Sequence, residues 1–417
     1  MTNKDFIKLE ELRVLQLSRL QNIVQRAYDN VELFRTRLDE ISFKPDDIKS
    51  LEDIVKLPFT TKSDLQDNYP YNLLAGSIED VVRLQAVGGV AAAYTREDIE
   101  MWTEAMKRCL LCVGINKNDI IQNSGGFGVH YGVEALGAAV VPTDGNNSKG
   151  QIKIMKELGV TGICCTPSYF NFIVEQAGEM GIDLRDLPLR IGIFGSELWT
   201  EEMRLRIEES SGIKAYDIYG VAEIVSPGVG IECECRTGLH ILEDLFYPEI
   251  IDQESGEVLP DGELGELVLT TLTKQAMPLI RYRTGDISRI IPGTCECGRS
   301  LRRIERISSS SDDMMMIQGV NIFPSQIEAA LLSIEGTLPH YNIILNSENG
   351  MDSIEVNVEI TEAIFSDRVR SLEAFRQNLI DAIEAVLGLR IKLKLVAPGA
   401  IQRSAGKAKR VIDHRNR

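Results

Sequence analysis

Three short β-rich runs, Gly159–Thr166 (GVTGICCT), Leu189–Phe194 (LRIGIF) and Lys214–Tyr219 (KAYDIY), are separated by stretches of helical spacing from about residue 98 onward. That alternation implies parallel strands joined by crossover helices, which is the signature of an α/β fold. Ahead of it, residues 5–40 place Leu12, Leu15, Leu17, Leu20, Ile23 and Val24 at helical spacing, and Pro58 and Pro70 punctuate the next segment. This reads as an N-terminal helical layer. Between 238 and 310 the chain turns β-rich, with Glu263–Leu272 strand-like and a Gly/Asp/Pro cluster at 252–262 making turns. The last hundred residues read as a separate small α+β domain. Ile354, Val356, Val358 and Ile360 alternate with polar residues, as do Ile391, Leu393 and Leu395. Between these strands Leu372, Phe375, Leu379, Ile383, Val386 and Leu387 follow helical spacing, with Gly388 as the C-cap.

A chain of 417 residues exceeds what one hydrophobic core usually supports, so two or three domains are expected. Its 44% hydrophobic and 26% charged residues are ordinary for a globular protein. A formal net charge of −17 argues against nucleic acid and against an anionic membrane surface as partners. The only dense basic stretch is the tail, Arg403 to Arg417. Residues Met1 to Leu12 alternate charges with apolar residues and do not read as a signal peptide, and no run of eighteen apolar residues predicts a membrane span. A cytoplasmic location is expected. The eight cysteines are then thiols or metal ligands rather than a disulfide framework.

Two segments offer nucleotide chemistry. At Tyr219-Gly220-Val221-Ala222-Glu223 a strand ends in a turn that presents an aromatic ring, able to stack on adenine, and a carboxylate, able to hold magnesium. In Arg281-Tyr282-Arg283-Thr284-Gly285-Asp286 an aspartate follows a glycine turn, where its two oxygens suit a ribose diol. The plain alternatives are a structural strand-end glutamate and a turn aspartate. Order and spacing favour the functional reading. Gly195-Ser196-Glu197 precedes these segments, and Ser311-Asp312-Asp313-Met314, Gly319-Val320-Asn321-Ile322-Phe323-Pro324 and Arg403-Ser404-Ala405-Gly406-Lys407 come after them.

This ordered set resembles the adenylate-forming superfamily, and the wording is nearest to the phenylacetate–CoA ligase family. Leu57-Pro58-Phe59-Thr60-Thr61-Lys62, Asn68-Tyr69-Pro70, Tyr94-Thr95-Arg96, His130-Tyr131-Gly132, Thr166-Pro167-Ser168-Tyr169 and Phe246-Tyr247-Pro248-Glu249 extend it over roughly residues 10 to 413. The resemblance implies an adenylation domain over 1–311 and a mobile C-terminal domain over 312–417 that turns about Asp312. It implies an acid–CoA ligase that uses ATP, magnesium and CoA on a small aromatic or other carboxylic acid, and a homodimer. Tyr219 and Gly220 would lie at adenine, Asp286 at the ribose, Glu223 at magnesium, and Ser196, Glu197 and Asp312 at the nucleotide. Lys407 would be the catalytic lysine, its charge aimed at the α-phosphate and the acyl carboxylate.

The family's phosphate loop is rich in Ser, Thr and Gly and ends in lysine. Here Gln85–Tyr94 (QAVGGVAAAY) is shorter and has no Ser, Thr or Lys. The segment between Asn123 and His130 is shortened as well, Ser309 and Ser310 replace a Gly-Arg pair before the hinge, and Gln318 stands where arginine is common. These departures predict weakened binding of ATP's terminal phosphates. They raise a second reading, a homologue that binds nucleotide or acyl-CoA without completing adenylation.

Cys233, Cys235, His240, Cys295 and Cys297 supply soft ligands in two bursts, and four of the five would close a tetrahedral zinc site of structural type. In relatives the matching cysteine lies seven residues before the Gly-Leu-His histidine, which favours Cys233 over Cys235. Cys109, Cys112, Cys164 and Cys165 lie in apolar runs and read as core packing. His130 reads as an active-site neighbour through the His-Tyr-Gly match, while His340 and His414 read as loop and tail residues.

Overall fold

The computed structural model describes residues 4–87, 90–124, 127–143, 147–310, 314–317, 320–348, 351–365, 369–403 and 408–415. They form two compact units, each assembled from three chain segments: Met1–Ile121, Gly126–Val141 and Tyr216–Ile307 in the first, Gln122–Gly125, Pro142–Ala215 and Ser308–Arg417 in the second.

In the first unit the helix Leu9–Asn30 buries Leu12, Leu20, Ile23, Val24 and Ala27 along one stripe, together with Gln16. Leu15 and Leu17 lie only at the margin of that stripe. Gln16 is tolerated inside because its amide donates to Glu243 O at 2.9 Å. The helix Arg96–Cys112 starts at a capping box, in which Thr95 Oγ1 accepts from Asp98 N. It buries Trp102, Met106 and Cys109. The helix Phe127–Leu136 crosses it closely, because Gly132 faces Met106: an added Cβ would lie 2.6 Å from Met106 Cβ. An antiparallel sheet of Phe246–Ile251, Gly265–Thr271 and Tyr282–Ser288 stands beside strands Lys214–Val221, Val225–Glu232 and Leu239–Ile241, which also pair antiparallel.

Three of the family-like motifs meet at one buried guanidinium. Arg281 is 3% exposed, sits at a left-handed φ of 46°, and pairs with Glu249 at 2.9 Å. It also donates to the carbonyls of Val55 and Leu57 at 3.0 Å each and lies 4.0 Å from the ring centre of Phe59. Thr60 N in turn donates to Arg281 O, and Arg283 N donates to Thr60 O. The first arginine of RYRTGD therefore joins LPFTTK and FYPE rather than facing a ligand. Breaking a buried pair leaves a bare charge inside, so Arg281→Met should cost about 3–5 kcal/mol in chemical denaturation, with part regained when Glu249→Gln is added. An unchanged unfolding midpoint in Arg281→Met would refute this role.

In the second unit Gly162–Cys165 and Ile191–Phe194 pair in parallel, with the helix Pro167–Glu179 in the crossover between them, as the alternation predicts. The C-terminal segment has its own core. Thr337–Glu348 and Met351–Ile360 run antiparallel, while Lys392–Val396 and Val411–Asp413 join them in parallel. Ile354, Val356 and Val358 meet Leu379, Ile383 and Leu387 of the helix Val369–Leu387. Each such side chain contributes roughly 1.5–3 kcal/mol of burial. Gly388 caps the helix at φ 67°, as its position predicts, but Val386 faces solvent at 52% exposure. Arg206 of the helix Glu201–Ser211 donates to Thr337 O at 2.6 Å and Leu332 O at 2.7 Å, which fastens this segment to the rest of the unit.

Candidate functional site

Tyr219 and Asp286, 67 residues apart, are brought into contact: the Tyr219 hydroxyl donates to Asp286 Oδ2 at 2.6 Å. Tyr219 lies near the end of the strand Lys214–Val221, which shifts register between Tyr219 and Val221. Gly220 is required there because the return strand passes so close that an added Cβ would lie 2.7 Å from Val225 O and Pro227 Cα. Asp286 comes after Gly285, whose φ of 75° lies at a bulge within the strand Tyr282–Ser288 rather than in a turn, and its N–H is held by Thr284 Oγ1 at 3.1 Å. Burial, and then the neighbouring Asp286 carboxylate, push the Tyr219 phenol well above its ordinary value. The hydroxyl thus stays a donor and holds the Asp286 carboxylate in place.

Glu223 lies in the turn after this strand and is partly exposed. Its carboxylate makes no hydrogen bond or salt bridge with another described residue. A hard, unspent oxygen donor on a tight turn fits a magnesium ion. Below it lies a residue that the sequence does not advertise. Lys274 is 0% exposed and donates to Glu223 O at 2.9 Å and Ile224 O at 2.8 Å, with its ammonium 4.4 Å from the Tyr94 ring centre. Burial holds its pKa down at about 8, against the pull of Asp98 and Glu223. Only its full burial sets it apart, and nothing in the sequence signals that.

The segment expected to wrap terminal phosphates is a β-hairpin. Arg83–Val87 pairs with Val90–Tyr94, and Gly88 and Gly89 lie outside the described residues. Arg83 belongs to no motif that the sequence singles out. Its guanidinium bonds the Tyr131 hydroxyl and lies 4.9 Å from that ring centre and 5.8 Å from Trp102. His130 rests against Tyr131 at 4.3 Å between ring centres, with its pKa lowered by burial.

In the second unit Ser196 adopts a left-handed φ of 67° and turns Glu197 toward the helix Pro167–Glu179. Glu197 accepts from Ser168 N at 2.6 Å, Ser168 Oγ at 2.9 Å and Ala408 N at 3.0 Å. Its carboxylate is thereby committed to three protein donors. Lys407 and Asp312 lie outside the described residues. His340 departs from the loop reading. It lies in the strand Thr337–Glu348 at 5% exposure and bonds Glu175, which also takes Arg403 at 3.1 Å. Alternation with buried Tyr341 hides that partner from the sequence.

Cys233, His240, Cys295 and Cys297 place their ligand atoms within 4.8 Å of one another. Cys233 Sγ lies 3.6 Å from Cys295 Sγ, and Cys297 Sγ lies 3.4 Å from His240 Nε2. A tetrahedral zinc with ordinary bond lengths needs edges of about 3.5–3.8 Å, close to these two separations, so the donor set suits the metal. His240 Nδ1 lies 3.0 Å from Leu301 O, which fixes the proton on Nδ1 and turns the Nε2 lone pair to the sulfurs. Two turns aim the cysteines: Arg236 N donates to Cys233 O, and Gly298 N donates to Cys295 O. The set contains Cys233 and leaves out Cys235. Cys109 and Cys112 are buried in their helix, and burial pushes the Cys109 thiol up to about 12, which matches the packing role.

The chain matches two family models, that of the AMP-binding enzyme over residues 124–273 and that of the AMP-binding enzyme C-terminal domain over 319–415. The phenylacetate-coenzyme A ligase of Pseudomonas putida is 43% identical over 425 residues, which cover 98% of this chain and 95% of the relative. That of Thermus thermophilus is 39% identical, covering 97% of each chain. Among solved structures, 2-hydroxyisobutyryl-CoA ligase in the postadenylation state in complex with 2-HIB-AMP superposes with a TM-score of 0.93. It is 28% identical and covers 99% of this chain and 91% of its own.

Proposed function

From the premise that the chain belongs to the phenylacetate–CoA ligase family, the AMP-forming acid–CoA ligases of the adenylate-forming superfamily, we propose that it joins phenylacetate or a close aromatic acid to CoA. The carboxylate oxygen attacks the α-phosphorus of ATP and pyrophosphate leaves. The CoA thiol then attacks the acyl carbonyl, loses its proton, and AMP leaves. The observation that carries this reading is the likeness to phenylacetate–CoA ligases over nearly the full length of both chains.

The geometry of the described residues supports the roles of Tyr219, Gly220, Asp286, Glu223, Ser196 and Glu197, while those of Lys407 and Asp312 rest on the family resemblance. Tyr219 and Gly220 border the adenine, and Asp286, held by the Tyr219 hydroxyl, takes the ribose diol. Magnesium, when bound, would offset charge on the ATP phosphates, and Glu223 is the carboxylate that would hold it. Ser196 and Glu197 shape the step beside Ser168 and Ala408. Lys407 stabilises the charge that develops during adenylation, and Asp312 is the hinge between domains 1–311 and 312–417. Cys233, His240, Cys295 and Cys297 hold a structural zinc. Its closed coordination leaves no place for substrate. We further place the enzyme in the cytoplasm as a homodimer. Among the described residues no helix is long and apolar enough to cross a membrane. The second reading, a homologue halted before adenylation, rests on the sequence departures alone, and no comparison favours it.

Pyrophosphate release with a panel of aromatic and aliphatic acids tests the proposal. Phenylacetate should support release without CoA and AMP turnover with it. Asp286→Ala should raise the KM for ATP about ten- to hundredfold, the loss of hydrogen bonds to a charged acceptor. No acid-dependent pyrophosphate with any member of the panel would overturn the ligase reading.

A further inference from the structure

Lys274 is the most deeply buried ammonium among the described residues that has no carboxylate within salt-bridge reach, and its three protons go to a telling set of partners. Two are donated to successive backbone carbonyls, Glu223 O and Ile224 O, and the ammonium also faces the Tyr94 ring. A charge without a counter-ion is costly to keep inside a protein, and a methionine would fill the same space. The turn it holds needs an outside restraint. Ile224 N donates to Val221 O at 2.9 Å, which closes the turn, but the Glu223 and Ile224 carbonyls point away from that ring of bonds toward Lys274.

The stretch that carries Lys274 is itself clamped. Gln275 N and Ala276 N donate to Asp98 at 2.6 and 2.9 Å, Asp98 also accepts from Thr95 N at 2.9 Å, and Ala93 N lies 3.2 Å from Met277 Sδ. Segments 93–98, 221–225 and 273–277 are thereby locked to one another. The first ends the hairpin Arg83–Tyr94, the second carries Glu223, and the third supplies the buried charge. Because the Glu223 carboxylate has no described hydrogen-bond or salt-bridge partner of its own, its direction is set by the backbone beneath it.

Resting on the assignment of Glu223 to magnesium, we propose that Lys274 is a positioning residue that, by binding the Glu223 and Ile224 carbonyls and the Tyr94 ring, fixes the metal-binding carboxylate and the hairpin in register. It touches no substrate. Its loss therefore weakens the metal and leaves the adenosine contacts of Tyr219 and Asp286 intact.

The test uses the full-length protein and Mn2+ as a paramagnetic probe, titrated with ATP present and read by electron paramagnetic resonance, alongside calorimetry of AMP without metal. Lys274→Met should raise the Mn2+ dissociation constant by about tenfold or more, as loss of an outer-shell partner does, while AMP affinity stays within about twofold. The Mg2+ concentration that half-saturates pyrophosphate release should move by the same factor. Lys274→Arg, which keeps a donor able to reach two carbonyls, should recover much of the loss, and it carries the test if Lys274→Met does not fold. Glu223→Gln is the reference. If Glu223→Gln leaves Mn2+ affinity unchanged, the assignment of Glu223 fails and takes this proposal with it. If Glu223→Gln weakens Mn2+ and Lys274→Met does not, the positioning role alone is refuted. Equal losses of Mn2+ and AMP affinity in Lys274→Met would mark a general structural role and overturn the proposal.

Discussion

Lys407→Ala is expected to lower acyl-adenylate formation by about a hundred- to a thousandfold while leaving thioester formation from preformed acyl-adenylate within about twofold. The two half-reactions build charge in different places. In the first, negative charge develops between the attacking carboxylate and the α-phosphate, and an ammonium aimed there stabilises the transition state more than the bound substrates. In the second the phosphate is already joined to the acyl group and the incoming thiol attacks carbon, so the same ammonium has little to stabilise. The described chain resumes at Ala408, whose N–H is fastened to Glu197 at 3.0 Å. Single-turnover measurement of each half-reaction, with phenylacetyl-adenylate supplied for the second, checks the split. Equal loss of both with an intact fold would defeat the assignment of Lys407 to one orientation of the C-terminal domain.

Removal of the zinc ligand set should cost stability more than any surface change. The protein purified without added metal is expected to carry about one zinc per chain, and Cys295→Ala to lose it together with more than about 4 kcal/mol of stability. Cys233 is 0% exposed and His240 1%, so an emptied site would leave unpaired thiols and an imidazole in the interior. In Cys295, burial opposes ionisation, yet hydrogen bonds from the Cys297 backbone and side chain and from Thr237 hold the thiol down at about 5. A thiolate is the form that binds metal. Cys235→Ala serves as the control and should leave both zinc and unfolding unchanged. Elemental analysis finding less than about 0.3 equivalents of zinc, with unfolding unaffected by chelation, would falsify the site.

Periodicity made most of the fold legible. Ile354, Val356, Val358 and Ile360 announce a half-buried strand because side chains alternate faces every second residue, and the structure buries them as read. The parallel pairing of Gly162–Cys165 with Ile191–Phe194 follows from the helix between them. Motif order carried the family, and the resemblance singled out Cys233 over Cys235. The geometric reason appears only in the fold, where the turn from Arg236 N to Cys233 O directs one sulfur into the cluster.

Partnership across sequence distance is what the chain could not declare. Tyr219 and Asp286 are each legible as nucleotide residues, but their hydrogen bond joins positions 67 residues apart. His340 reads as a loop histidine because nothing near it names Glu175, 165 positions away, as its partner. Arg281 reads as part of a ligand-facing motif, and its left-handed backbone and buried Glu249 make it a structural anchor. Lys274 is the extreme case. In sequence it is one of 45 basic residues in a chain of ordinary charge content, and only packing removes it from water and aims it at two carbonyls. Local pattern therefore determined the element types, the family and the kinds of chemistry present. Tertiary structure decided which charges are buried and whom they bind, because burial and pairing depend on segments that meet only once the chain has folded.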